Sequence, residues 1–221
     1  MVPRSHDSAD PAAASRRRFL TRSTQVVGGG ALALAFAAVP AADNSQAVAA
    51  ATSDLDILNY ALTLERLEAA FYTQGLARFS EKDFKHIGDF KGGHTDVYDY
   101  FKLIRDHEQT HVAKLVSVIQ SLGGNPVGGC TYNFGYKDME GFVKVAQALE
   151  NTGVMAYDGA IGQIQSADLR TAGATIATVE ARHASYLNLL NGAVPFPAAF
   201  DTPKTMAEIL AIAGQFIVSC P

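Results

Sequence analysis

Apolar side chains recur at three- and four-residue spacing through four long stretches of the chain, and the strict alternation that marks strands is scarce. "SDLDILNYALTLERLEAAFYTQGLARF" places Leu58, Ala61, Glu65, Glu68 and Tyr72 on one helical face, with Ser53 or Asp54 as N-cap. A second helix is predicted from about Thr95 through "DVYDYFKLIRDHEQTHVAKLVSVIQSLGG", where Ile104, Glu108, His111, Leu115 and Leu122 share a stripe that Gly123 and Gly124 end. A third opens at Asp138 and aligns Val143, Ala146, Glu150, Gly153, Tyr157 and Ile161, despite glycines that each cost a helix about 1 kcal/mol relative to alanine. A fourth opens at Asp168 and carries Ile176, Glu180, His183, Leu187 and Leu190 before Asn191 and Gly192 stop it. "NPVGGCTYNFGYK", between the second and third, reads as an irregular loop, and a short fifth helix, about Lys204 to Ile217, follows "VPFPAAFDTP". The fold class is all-α: a four-helix bundle with a short C-terminal fifth helix.

The four inward stripes carry groups that are costly to bury. Glu108 and His111 lie one turn apart on the second helix, and Glu180 and His183 repeat the unit on the fourth. With eight Glu and six His in 221 residues, chance gives about 0.2 such pairs in the whole chain. The other two helices each bring a glutamate, Glu65 and Glu150, and each is followed seven residues later by a tyrosine, Tyr72 and Tyr157. The chain thus reads as a duplicated helix pair, with Leu64-Glu65 matching Leu149-Glu150 and Gly153 standing opposite Glu68. One Glu from each of two helices and Glu-x-x-His from each of the others is the ligand set of a dinuclear carboxylate site. Four carboxylates cancel two divalent cations, and oxygen with imidazole nitrogen suits iron or manganese better than copper or calcium.

Competing readings stand beside this one. The Glu and His residues form a metal-free buried ion network in the alternative. Glu68 competes with Glu65 for a ligand role, but only Glu65 has a glutamate counterpart, which leaves Glu68, with Tyr72 and Tyr157, around the ligands. The tyrosines also read as core aromatics with bonded hydroxyls. His107 is expected to point away as a solvated neighbour, and His86 and His94 fall in a loop.

The amino terminus changes the picture. "SRRRFLT" precedes the uncharged run "VVGGGALALAFAAV" and an A-x-A pattern ending at Ala49, which reads as a twin-arginine type export signal over residues 1–49 and leaves 50–221 as the bundle domain. The expected location is periplasmic or secreted, with no membrane association once the signal is cleaved; an uncleaved membrane anchor is the alternative reading of this short run, which is rich in Gly and Ala and broken at Pro40. Removing that segment takes away five of the 18 basic and three of the 22 acidic side chains, and leaves a formal charge of −6. An acidic chain without a basic block is not built for nucleic acid. In a compartment that permits disulfides, two cysteines without C-x-x-C spacing are expected to pair, Cys130 with Cys220.

"LNYALTLERLEAAFY", "RDHEQTHV", "ALENTGVMAY" and "VEARHASYL" together resemble the ferritin-like superfamily, and "AFDTP" with the terminal "FIVSCP" resembles its exported stress-associated and desiccation-related members. The resemblance covers roughly residues 54–221 and implies a ferritin-like bundle holding a di-iron or related di-metal centre. It fixes no reaction, because relatives store or oxidise iron, dismute peroxide, or oxidise organic substrates. One implied function is an oxidoreductase acting on oxygen or peroxide in stress protection. The other is a non-catalytic desiccation- or stress-related protein that sequesters metal or serves structurally. A homo-oligomer is compatible with either.

Overall fold

A computed structural model describes residues 52–85, 87 and 97–221. The expected signal segment 1–49, His86, His94 and Thr95 lie outside those residues.

Ser53 rather than Asp54 caps α1 (Asp54–Arg78): its hydroxyl accepts from the Asp56 amide at 3.2 Å while the Asp56 carboxylate accepts from the Ser53 amide at 3.1 Å. Asp54 is thereby free to accept from the amides of Gln165 and Ser166, at 2.7 and 3.0 Å, and it ties the start of α1 to the start of α5. A single turn, α2 (Glu81–Phe84), follows, and the sequence pattern gave no sign of it. Next comes α3 (Val97–Ser121), which ends at Gly123 in the left-handed conformation, φ 76°. Asp138 caps α4 (Met139–Ile161) through the Gly141 amide at 2.8 Å, as expected from sequence.

α5 (Ala167–Leu190) departs from expectation at its start. Ser166, not Asp168, is its cap, because the Ser166 hydroxyl accepts from the Leu169 amide at 3.3 Å; Asp168 lies in the first turn, where a negative charge complements the helix dipole. α6 (Met206–Gly214) carries a Thr205–Glu208 capping box and is shorter than expected. Ile217 belongs instead to β2 (Ile217–Ser219), antiparallel to β1 (Thr131–Tyr132) with Thr131 opposite Ser219 and Tyr132 opposite Ile217. The loop read as irregular therefore supplies a strand. Beside it, Cys130 and Cys220 form a disulfide, S–S 2.04 Å, which pins the C-terminal segment to the loop between α3 and α4.

α1 packs along α3 and α4 along α5, the two pairs meeting through α1 and α4. Past Glu65 along α1, an aromatic cluster fills the core: Phe71 stacks on Phe142 at 4.8 Å between centroids, and Phe101 and Phe84 pack around them. Before Glu65, aliphatic Leu58, Ala61, Leu62, Leu115, Ile119 and Ile176 form a second cluster. No helix among the described residues is long and apolar enough to cross a membrane. The polar residues sit between these two apolar blocks.

Candidate metal centre

Glu65, Glu108, Glu150 and Glu180 are fully buried, His111 and His183 are 9% and 6% exposed, and all six converge from α1, α3, α4 and α5. They form two overlapping groups whose ligand atoms lie within 4.8 Å of one another: Glu65, Glu108, His111 and Glu180, then Glu108, Glu150, Glu180 and His183. The Nδ1 atom of His111 faces Glu65 Oε2 at 3.2 Å, Glu108 Oε2 at 3.2 Å and Glu180 Oε1 at 3.0 Å. The Nδ1 atom of His183 faces Glu108 Oε1 at 3.1 Å, Glu150 Oε2 at 3.2 Å and Glu180 Oε2 at 3.8 Å. Glu108 and Glu180 thus offer one oxygen to each group, while Glu65 and Glu150 serve one group each.

This arrangement fits metal better than it fits itself. One Nδ1 proton serves one acceptor well, yet three carboxylates crowd each imidazole. Glu108 Oε1 and both oxygens of Glu180 are buried without a hydrogen bond. Among the described residues no lysine or arginine pairs with any of the four carboxylates, so their only counter-charges are the two imidazoles. Cations between the carboxylates and the Nδ1 atoms would give these groups partners, whereas each orphaned oxygen otherwise carries a desolvation penalty of about 1–3 kcal/mol.

The electrostatics record the same demand. Burial, reinforced by the charge of Glu180, holds Glu65 and Glu150 well above the usual carboxylate range. Burial also opposes ionisation of Glu180, but contact with His111 and His183 outweighs it and brings its pKa down to about 2. Burial opposes protonation of both imidazoles, and the surrounding carboxylates reverse that and push each to about 12.

The two tyrosines cross between the halves. The hydroxyl of Tyr72, on α1, donates to Glu150 Oε1 at 2.6 Å, and that of Tyr157, on α4, donates to Glu65 Oε1. Each therefore holds one oxygen of the other half's singly used glutamate and leaves the second facing its histidine. Glu68, 4% exposed, lies next to this group without joining either cluster. Burial, then the charges of Glu180 and Glu150, holds it well above the usual carboxylate range.

His107 corrects the expectation of a solvated neighbour. It is half-buried, its Nδ1 lies 2.9 Å from His183 Nε2, and the two rings stack at 5.2 Å. His183 therefore presents Nδ1 to the carboxylates while His107 engages its opposite nitrogen, the kind of outer contact that fixes the tautomer of a ligating imidazole. The signal was legible: His107 precedes His111 by four residues, one helical turn. A ladder of Gln147, Asn151 and Asn188 between α4 and α5, with bonds of 2.9 Å onto Asn188 Oδ1, escaped the sequence reading as well.

Comparisons with known proteins agree with this architecture. Residues 53–193 match the ferritin-like domain family. Protein rds1 of Schizosaccharomyces pombe is 29% identical over 171 residues, which cover 76% of this chain and only 40% of that protein. A conserved hypothetical protein from Mycobacterium tuberculosis shares the fold at a TM-score of 0.50 and 19% identity, over 65% of this chain and 94% of that one. A ferritin-like, diiron-carboxylate protein from Bacillus anthracis is similar at a TM-score of 0.49 and 20% identity, over 62% of this chain and 94% of that one.

Proposed function

The chain belongs to the ferritin-like domain family, and from that premise we propose that it holds two iron or manganese ions and acts as an oxidoreductase on dioxygen or peroxide, in stress protection outside the cytoplasm. The observation that carries the reading is the pair of overlapping ligand groups sharing Glu108 and Glu180. Glu65 and His111 would hold one ion, Glu150 and His183 the other, with Glu108 and Glu180 common to both. When bound, such a pair supplies two adjacent centres that exchange electrons with a small oxidant.

The chain's own residues create the surroundings for that exchange. Tyr72 and Tyr157 fix the rotation of Glu150 and Glu65, and the flanking apolar clusters keep bulk water out. Tyr157 also lines an apolar cavity of about 40 Å³, with Leu58, Ala61, Leu115 and Ile176 among its walls. At 10–15 Å³ per water-sized occupant, that volume holds roughly three such atoms. Its apolar walls suit a small apolar molecule such as dioxygen. Export is supported by "SRRRFL" followed by an uncharged run, a signal type that carries cargo already folded around its metals.

The test is elemental analysis of protein purified without chelator, followed by oxygen and peroxide consumption with the native metal. Two ions per chain, lost in a His111→Ala/His183→Ala variant, with turnover that follows metal content, is the expected result. Two ions without turnover would redirect the reading to metal sequestration, and a folded wild-type protein with no affinity for iron or manganese would end it.

A further inference from the structure

Two features break the twofold likeness of the halves at the site: His107 contacts His183 and not His111, and the first half adds a carboxylate. Glu68 and Gly153 occupy equivalent positions, three residues beyond Glu65 and Glu150. A Cβ placed on Gly153 would stand 3.2 Å from Glu68 Oε1 and 3.6 Å from Glu180 Oε2. The second half therefore gives up its side chain at the place into which the first half sends a carboxylate. Glu68 is more than nine-tenths buried and makes no hydrogen bond among the described residues. A cavity of about 10 Å³, lined by Glu68, Gly153, Thr152 and, from α6, Ile212 and Ala213, adjoins it. The carboxylate therefore has room to move and no protein donor among the described residues that holds it in place.

The neighbouring oxygen identifies the target. Glu180 Oε1 lies on the His111 side, 3.0 Å from its Nδ1, whereas Oε2, the oxygen nearest the Gly153 gap, lies on the His183 side, 3.8 Å from that Nδ1. We propose that Glu68, which lies beside both ligand groups without joining either, is a seventh ligand side chain that on metal binding swings through the gap at Gly153 to the position of Glu150 and His183 alone and makes the two positions chemically inequivalent. The proposal rests on the di-metal reading above. Five carboxylates against two neutral imidazoles also shift the balance of charge: two divalent ions leave the group negative, and one divalent with one trivalent ion makes it neutral. The extra carboxylate thus favours the more oxidised pair.

The experiment is anaerobic loading of full-length, metal-free protein with ⁵⁷Fe(II), with iron content and Mössbauer spectra recorded for wild type, Glu68→Gln, Glu68→Ala and Gly153→Ala. Wild type is expected to bind two irons that give two distinct quadrupole doublets of equal area. Glu68→Ala should keep two irons, with the second bound at least 10-fold more weakly, and its doublets should draw closer, leaving only the difference due to His107 on His183. Glu68→Gln, which keeps the volume and removes the charge, should raise the midpoint potential. Gly153→Ala retains all seven side chains but fills the gap, and should move the spectrum the same way. Two irons with an unchanged pair of doublets in Glu68→Ala would overturn the assignment and leave the di-metal reading intact. A single doublet in wild type would also overturn it, and no iron binding by wild type would remove both. A circular dichroism spectrum matching wild type separates loss of a ligand from loss of the fold.

Discussion

Each tyrosine at the centre bonds a glutamate of the other half, so the orientation of one half's candidate ligand depends on the other. Removing either hydroxyl leaves the ring and its packing in place but frees the glutamate it holds. Tyr72→Phe and Tyr157→Phe are expected to weaken metal binding by roughly 10 to 100-fold, the range for outer contacts of a metal site, with the loss read by competition titration against a chromophoric chelator. Protonation gives a second expectation. In the metal-free protein His111 and His183 are raised to about 12 from 6.5, and Glu65 and Glu150 are raised above 4.5, so the folded state holds more protons than the unfolded one above pH 4.5. That stabilisation is complete below the unfolded values and is lost as pH rises. Glu180, lowered from 4.5 to about 2, adds stability over the interval between those values as pH rises. The melting temperature of chelator-stripped protein should therefore peak near pH 4.5 and fall toward pH 8. Loaded protein, whose ligands are deprotonated by metal, should show the opposite trend across the same range. Parallel profiles in a scan of both forms would contradict this assignment of protons.

Along the elements, the positions that matter most are those where a small residue admits a large neighbour. The ring of Phe142 occupies the space above Gly75, and it is fully buried against Phe71. Phe142→Ala should cost about 3–5 kcal/mol, measured by urea unfolding of metal-free protein so that metal affinity does not mask the change. The four long helices and the stripes that bring six candidate ligands together were legible because helical spacing and the cost of burying Glu and His act locally. The start of α5 was less so, because Ser166 is held by Asp54 from a helix more than a hundred residues earlier. The glycines of α4 counted against a helix by propensity, yet Gly153 makes room for Glu68 and Gly159 for the carbonyl of Lys204, contacts that only the folded chain reveals. β2 was missed because Ile217–Ser219 extends the apolar run of α6 and is drawn into a strand by pairing with Thr131 and Tyr132, far away in sequence.

Across the whole molecule, the bond between Cys130 and Cys220 joins residues 90 apart. By the chain-entropy relation a loop of that size is stabilised by up to about 4.5 kcal/mol, so reduction should lower the unfolding midpoint in urea without changing metal stoichiometry. The same bond has a mechanical consequence. Stretched between its ends, the oxidised chain transmits tension through α1 and α3 and then across the sulfur bridge, bypassing α4, α5 and α6. Pulling would peel Glu65, Glu108 and His111 away while Glu150, Glu180 and His183 stay inside a closed ring. Roughly 300 Å of extension, at about 3.3–3.6 Å per residue, stays hidden until a reductant opens the bridge. In a single-molecule trace of metal-loaded protein, the proposed site would then rupture along the boundary between the two repeated halves, in one event, with one half of its candidate ligands still tethered as a folded loop.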